Sequence, residues 1–313
     1  GKDSVYAAIR LKEDFGMHPL TVTWAPHLYT DVGWHNMQAW LHTGGFDNYL
    51  FTPDGQVHRR LTRLAYENLL HPFQPFIFGQ KNYAPKMAAR MGIPLVFFGE
   101  NEAEYGNAVA ENESATRTLD YFSADHENLQ DLYFGGVPLG ALPEHGIELG
   151  QMDPYLPAKP EVLQDAEIEV HYLGYYLKWT PQEAYYYAVK NTGFKPRPFR
   201  TQGTYSKYNS IDDKIDDLHY YTTFIKFGIG RATYDVSQEI RNDHISTEEG
   251  KKLIKKYDGE YPSRYINDIC DYLNMSARDF NVHCDKFRSP HLWKKINKTW
   301  KLRHTCNFDG EDD

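Results

Sequence analysis

Three short apolar runs, each framed by helix-type patterns, constrain the fold of this chain more than any other feature. "PLTVTWAP" (19–26), "FDNYLFTP" (46–53) and "IPLVFFGEN" (93–101) read as strands. Between them, "DVGWHNMQAWLHTGG", "GQVHRRLTRLAYENLL" and "KNYAPKMAARMG" read as helices, the second with apolar residues at Val57, Leu61, Leu64, Ala65 and Leu69. Apolar strands alternating with helices predict an α/β fold with a Rossmann-like parallel sheet buried on both faces. Ligands of such sheets lie beyond the carboxyl ends of the strands, so residues 1–4, 25–30 and 99–106 are the positions to watch.

The chain opens "GKDSVYAAIRLKEDFG", a Gly-containing turn running into a helix expected over about residues 4–14 and closed by Gly16. Backbone N–H groups at such a helix start make an anion nest, and a small residue lets phosphate oxygens approach. The Gly-x4-Gly-Lys-Ser/Thr spacing is absent, and an ordinary cap by Asp3 and Ser4 would look the same in so short a segment. A turn of this kind follows a strand, so a strand is expected ahead of Gly1.

Residues 107–165 lose periodicity and are rich in Gly, Pro and acid, which predicts an insertion or lid between an N-terminal part of the binding domain (1–106) and its completion (166–245). A strand at "IEVHY" precedes a helix whose "TPQE" start is a capping box with Pro at the first helical position. From residue 210 onward, including the C-terminal region 246–313, the pattern reads as helical, and "STEEGKKLIKKY" has a Ser/Thr cap, an acidic first turn and a basic last turn.

Composition excludes several classes. A net charge of −9 argues against a general nucleic-acid binder, though local cations can still hold an anionic small molecule. The 24 Tyr read as packing for half-buried surfaces. The three cysteines, Cys270, Cys284 and Cys306, are too few and scattered for a disulfide framework or a four-cysteine zinc site. Without an 18-residue apolar run or a signal segment, a cytoplasmic protein with no membrane insertion is expected.

Two further constellations can carry chemistry. Glu100, Asn101 and Glu104 follow an apolar strand, where carboxylates and an amide suit Mg²⁺ or a substrate amide, or simply a solvated helix start. Asp212, Asp213, Asp216 and Asp217 predict an acidic helix face whose mutual repulsion favours a metal or Arg partner over plain solvation, followed by a Gly-broken basic turn with Lys226, Gly228, Gly230 and Arg231 that suits polyphosphate. No histidine pair has convincing zinc spacing.

Together "GKDS", "PLTVTWAP", "GFDNYLF", "LVFFGENEAEYG", "YLGYYLKWTPQEA" and "DDLHYYTTFIKFGIGRATYDVSQEIR" make the chain resemble the N-acetyl sugar amidotransferases, a branch of the PP-loop ATP pyrophosphatases. "GKDS" is similar to the last four positions of the superfamily's Ser-Gly-Gly-x-Asp-Ser, so the Ser-Gly is expected ahead of Gly1. The resemblance implies an adenine-nucleotide-hydrolase-like fold and ATP-dependent conversion of a sugar's acetamido group to acetamidino for bacterial O-antigen or flagellar glycans. It implies an acetamido sugar substrate, free or carrier-linked, and ammonia from a partner glutaminase with a cyclase-like subunit. It further implies that Gly1, Lys2, Asp3 and Ser4 hold pyrophosphate, with Asp3 a ligand of Mg²⁺. Thr23, Trp24 and Ala25, with Phe98 and Gly99, would meet adenosine through backbone groups. Glu100, Asn101 and Glu104 are candidates for metal or acceptor-amide contacts, and Lys226 and Arg231 for transition-state charge. Zinc, expected from Cys-x-x-Cys pairs ahead of the PP-loop in such proteins, would need a segment outside this chain. A PP-loop enzyme that thiolates tRNA and a non-catalytic ATP-binding subunit remain open alternatives, since a fold alone does not fix chemistry.

Overall fold

The computed structural model describes residues 1–99, 114–125 and 132–305. Helices carry most of it: α1 (Lys2–Phe15), α2 (Asp31–Thr43), α3 (Gly55–Leu69), α4 (Gln74–Met91), α5 (Pro160–Asp165), α6 (Pro181–Thr192), α7 (Ile215–Phe227), α8 (Arg231–Arg241), α9 (Thr247–Tyr257), α10 (Ile266–Leu273) and α11 (Ala277–Lys286). The strands are short: β1 (Thr21–Trp24), β2 (Asn48–Phe51), β3 (Leu95–Phe98), β4 (Thr116–Arg117), β5 (Tyr133–Phe134), β6 (Val137–Pro138), β7 (Glu169–Tyr172), β8 (Trp293–Ile296) and β9 (Thr299–Leu302). The result is a mixed α/β molecule, mainly helical.

The parallel pairing expected from the sequence is present but divided. β1 runs parallel to β2 with Trp24 opposite Phe51, and β3 runs parallel to β7 with Phe98 opposite Tyr172. β4 adds antiparallel to β7, and among the described residues no strand joins the two sheets. Nor are the strands buried on both faces. In β1 the Thr21 and Thr23 hydroxyls both donate to Asn48 Oδ1, at 2.8 and 3.1 Å, while Val22 and Trp24 turn to the core. The run "TVTW" therefore alternates as a half-buried strand does.

The helix boundaries follow local chemistry. Gly16 ends α1 at φ +66°, with its N–H on the Lys12 carbonyl. The Ser246 hydroxyl and the Glu249 carboxylate cap α9 reciprocally. Thr180 caps α6 by accepting from the Glu183 N–H. α4 starts at Gln74, earlier than its expected 81–92, because Pro75 opens the first turn and the helix continues through Pro85.

Two expectations change. The C-terminal region does not stay helical: β8 and β9 form a hairpin turned by Asn297 and Lys298, both at positive φ, with Trp293 buried and donating to the Ile225 carbonyl at 2.7 Å. Asn-Lys is a weaker hairpin signal than Asn-Gly, which is why periodicity missed it. Residues 132–156, within the aperiodic stretch, supply Phe134, Leu142, Ile147, Met152 and Tyr155 to the same core as Trp24, Val57 and Leu61. Fully burying side chains of this size contributes about 1.5–3 kcal/mol each, so this stretch is part of the packed body.

Candidate functional site

Helix starts converge at one edge of the molecule. The Gly1 nitrogen lies 3.7 Å from Asp212 Oδ2. A Cβ on Gly33, in the first turn of α2, would sit 2.5 Å from the Asp212 carbonyl oxygen, so only glycine lets that helix approach. At the end of β3, a Cβ on Gly99 would sit 2.9 Å from the Asp3 carbonyl oxygen and 3.3 Å from the Ser4 nitrogen. Trp179, directly before the Thr180 cap of α6, donates from Nε1 to Asp3 Oδ1 at 3.1 Å. The starts of α1, α2 and α6 and the carboxyl end of β3 thus meet around Asp3 and Asp212.

Among the described residues no side chain caps α1. A helix start leaves backbone N–H groups without intrahelical partners, so this end favours an anion. Lys2 is 4% exposed, with Nζ 2.6 Å from Asp3 Oδ2 and about equally far, 5.9 and 5.8 Å, from the ring centroids of Trp179 and Tyr208. That aromatic surround fixes the ammonium beside the start of α1. An uncapped helix start, a glycine wall and a buried cation suit an anion such as a phosphate group.

Behind this edge lies a buried polar layer that sequence periodicity did not find. Asp213 accepts from the backbone N–H groups of His27 (2.6 Å), Leu28 (3.2 Å) and Ile215 (2.9 Å), and pairs with His27 Nδ1 at 2.7 Å. It therefore ties the loop after β1 to the start of α7. Arg197, 1% exposed, donates to Asp217 Oδ1 at 3.2 Å, with Arg264 3.7 Å from the other oxygen. Burial raises the Asp217 pKa against the pull of Arg197. Burial and the neighbouring Asp213 push Asp216 well above the usual carboxylate range, against Arg197. The four aspartates do not form one exposed face: Asp213, Asp216 and Asp217 are buried, and Asp217 has the arginine partners that repulsion within such a cluster calls for. The signal for this layer was the aperiodic, polar stretch 195–210 between two clear helices, where Thr201, Gln202, Thr204, Ser206 and Asn209 are all buried.

The candidate residues distribute as follows. Gly1, Lys2, Asp3, Ser4 and Gly99 are brought together. Phe98 stacks on Phe122 at 6.0 Å. Thr23 and Ala25 serve the β1–β2 pairing, Ala25 N–H donating to the Phe51 carbonyl at 2.9 Å. The Trp24 ring is core, against Phe51, Tyr83 and Tyr155. Arg231 opens α8, pairs with Asp235 at 2.7 Å and lies 5.2 Å from the Tyr220 ring centroid. The start of α8 is itself occupied, because Asp258 accepts from the N–H groups of Gly230 and Thr233. Lys226 lies ten residues beyond Asp216 on α7, about 15 Å along the axis. Burial lowers its pKa, and its neighbours include His71 and His219. Lys226 therefore sits at the far end of α7 from Asp216, while both it and Arg231 lie near enough to His219 to lower its pKa. Glu100, Asn101 and Glu104 lie outside the described residues.

Among the described residues no group of three or more His, Cys, Asp or Glu is arranged to hold a metal ion. Asp3 on its own fits Mg²⁺ only in the manner usual for nucleotides, where phosphates and water complete the shell. No helix among the described residues is long and apolar enough to cross a membrane.

Residues 202–306 match the family model described as LPS biosynthesis protein WbpG-like, C-terminal domain. The match covers α7 to α11 and the β8–β9 hairpin, with Asp212, Asp216, Lys226 and Arg231 inside it. In this part the chain is similar to proteins of lipopolysaccharide biosynthesis. No curated protein matches the chain.

Proposed function

We propose that this protein is an ATP-dependent amidotransferase of LPS-related sugar biosynthesis that converts an acetamido group to acetamidino, using ammonia from a partner glutaminase and its cyclase-like subunit. The observation that carries the reading is the uncapped start of α1, walled by Gly99 and flanked by buried Lys2. The similarity of residues 202–306 to an LPS biosynthesis domain supports the sugar context.

An amide oxygen is a poor leaving group. ATP supplies the activation: the acetamido oxygen bonds to its α-phosphorus, pyrophosphate leaves, ammonia adds to the former carbonyl carbon, and AMP departs with the oxygen. The protein's own residues do the rest. The N–H groups of Lys2, Asp3 and Ser4 bind phosphate oxygens, and the Lys2 ammonium offsets their charge. Asp3, oriented by Trp179 and Lys2, would hold Mg²⁺ together with the phosphates, and the ion would offset their charge. Asp213 holds the loop after β1 in place.

The test incubates the protein with ATP, ammonia or the glutaminase partner, and either acetamido sugars or tRNA. Pyrophosphate and AMP released only with sugar support the reading. Release only with tRNA, or tight ATP binding without release, overturns it.

A further inference from the structure

A groove of about 530 Å³ runs along one side of α6, lined among others by Lys178, Thr180, Glu183, Tyr186, Lys190 and His244. Glu183, Tyr186 and Lys190 recur at helical spacing, so they share one face of α6. Tyr186 is 63% exposed, although a large aromatic ring normally finds cover. Among the described residues the Lys178 and Lys190 ammonium groups have no carboxylate partner, in a chain whose net charge is −9. His244 is anchored by Glu239, which is buried, through Nδ1 at 2.6 Å, and this leaves Nε2 as its free polar atom. From Thr180 to Lys190 the groove wall is about 15 Å long.

One end of this groove adjoins the residue that reaches the proposed phosphate site. Trp179, between Lys178 and Thr180, is the residue that donates to Asp3. α1 and α6 run alongside each other from that point, with Tyr6 edge-on to Tyr187 at 5.2 Å and Tyr187 donating to Glu13 at 2.9 Å. The Lys178–Thr180 end of the groove is therefore the end nearer to the start of α1. An exposed ring, unpaired cations and polar side chains between them suit one chemistry: a sugar ring carrying an anionic group.

We infer that the α6 groove seats the acceptor, its sugar ring on Tyr186 and its carboxylate or carrier phosphate on Lys178 and Lys190, so that the acetamido group reaches Asp3. This rests on the amidotransferase reading, but it is tested by binding, without turnover.

The full chain is titrated calorimetrically with N-acetylneuraminate (a carboxylate), UDP-N-acetylglucosamine (a diphosphate), N-acetylglucosamine and UDP. Binding of the first alone assigns the anion to the sugar, and of the second alone to the carrier; the preferred probe is expected to exceed the neutral sugar and UDP at least 10-fold. Tyr186→Ala and Lys190→Gln should each weaken the preferred probe about 10-fold and leave ATP binding unchanged. Because both side chains are exposed, the variants should unfold at the wild-type temperature. Wild-type affinity in both variants, no binding of either anionic sugar, or equal binding of UDP alone would overturn the assignment. Sugar-dependent pyrophosphate release with an unaltered KM in Tyr186→Ala would overturn the groove while leaving the amidotransferase reading intact.

Discussion

Gly99→Ala is the smallest change that probes how β3 meets α1. The added Cβ would lie 2.9 Å from the Asp3 carbonyl oxygen and 3.0 Å from its carbon, and both are backbone atoms. Relief requires the end of β3 and the first turn of α1 to separate by about 0.5 Å, since a flexible side chain is not there to yield. Overpacking of this kind costs about 1–3 kcal/mol. Urea unfolding should show a lower midpoint at unchanged m-value. The same displacement moves the N–H groups assigned to phosphate. Moving those donors should weaken ATP binding. Gly55→Ala is the control: it opens α3 with nothing within 4 Å of its Cβ, and should be neutral or stabilising by up to about 1 kcal/mol. Wild-type stability and ATP affinity in Gly99→Ala would refute the proposed packing of β3 on α1.

Arg197→Ala should cost about 3–5 kcal/mol in chemical denaturation by leaving Asp217 buried without its main partner, whereas Arg197→Met with Asp217→Leu should cost far less. Asp216 has a raised pKa in the folded state, so its contribution to stability is present below the unfolded value near 3.8 and is lost as pH rises through the folded value. Asp216→Asn should therefore stabilise the protein at pH 7, with a gain that shrinks toward pH 4 in thermal melts. Burial lowers His71 to about 4 and His219 to about 3, so their contribution is present above pH 6.5 and is lost as pH falls toward those values. His219→Gln should reduce the pH dependence of stability between 6.5 and 4. Asp258→Ala removes the acceptor at the start of α8 and should cost about 1–2 kcal/mol in the same assay.

Much of the edge where ligands are expected was legible because it rests on local signals. The Gly-opened first helix, the glycine after the third apolar run and the Thr-Pro start of α6 each mark a helix start or strand end, and the fold brings all three to Asp3. What was not legible is what tertiary contact decides. "TVTW" has the composition of a buried strand, yet Asn48 draws its two threonines to a polar face. The aspartates at 212–217 have helical spacing, but spacing carries no information about Arg197, which lies in an aperiodic loop and draws the carboxylates inward. The Asn297–Lys298 turn depends on two residues tolerating positive φ, a weak signal beside the helices that precede it. The α6 groove escaped notice because tyrosines and lysines at helical spacing look like any amphipathic surface.

The central claim is that the acetamido oxygen attacks the α-phosphorus of ATP. It is tested by running the reaction with an acetamido sugar labelled with ¹⁸O in its carbonyl and analysing the products by mass spectrometry. The label is predicted to appear in AMP, with pyrophosphate unlabelled and nitrogen from ammonia in the sugar. Label in inorganic phosphate alongside ADP, or label retained in the sugar while ATP is consumed, would contradict it.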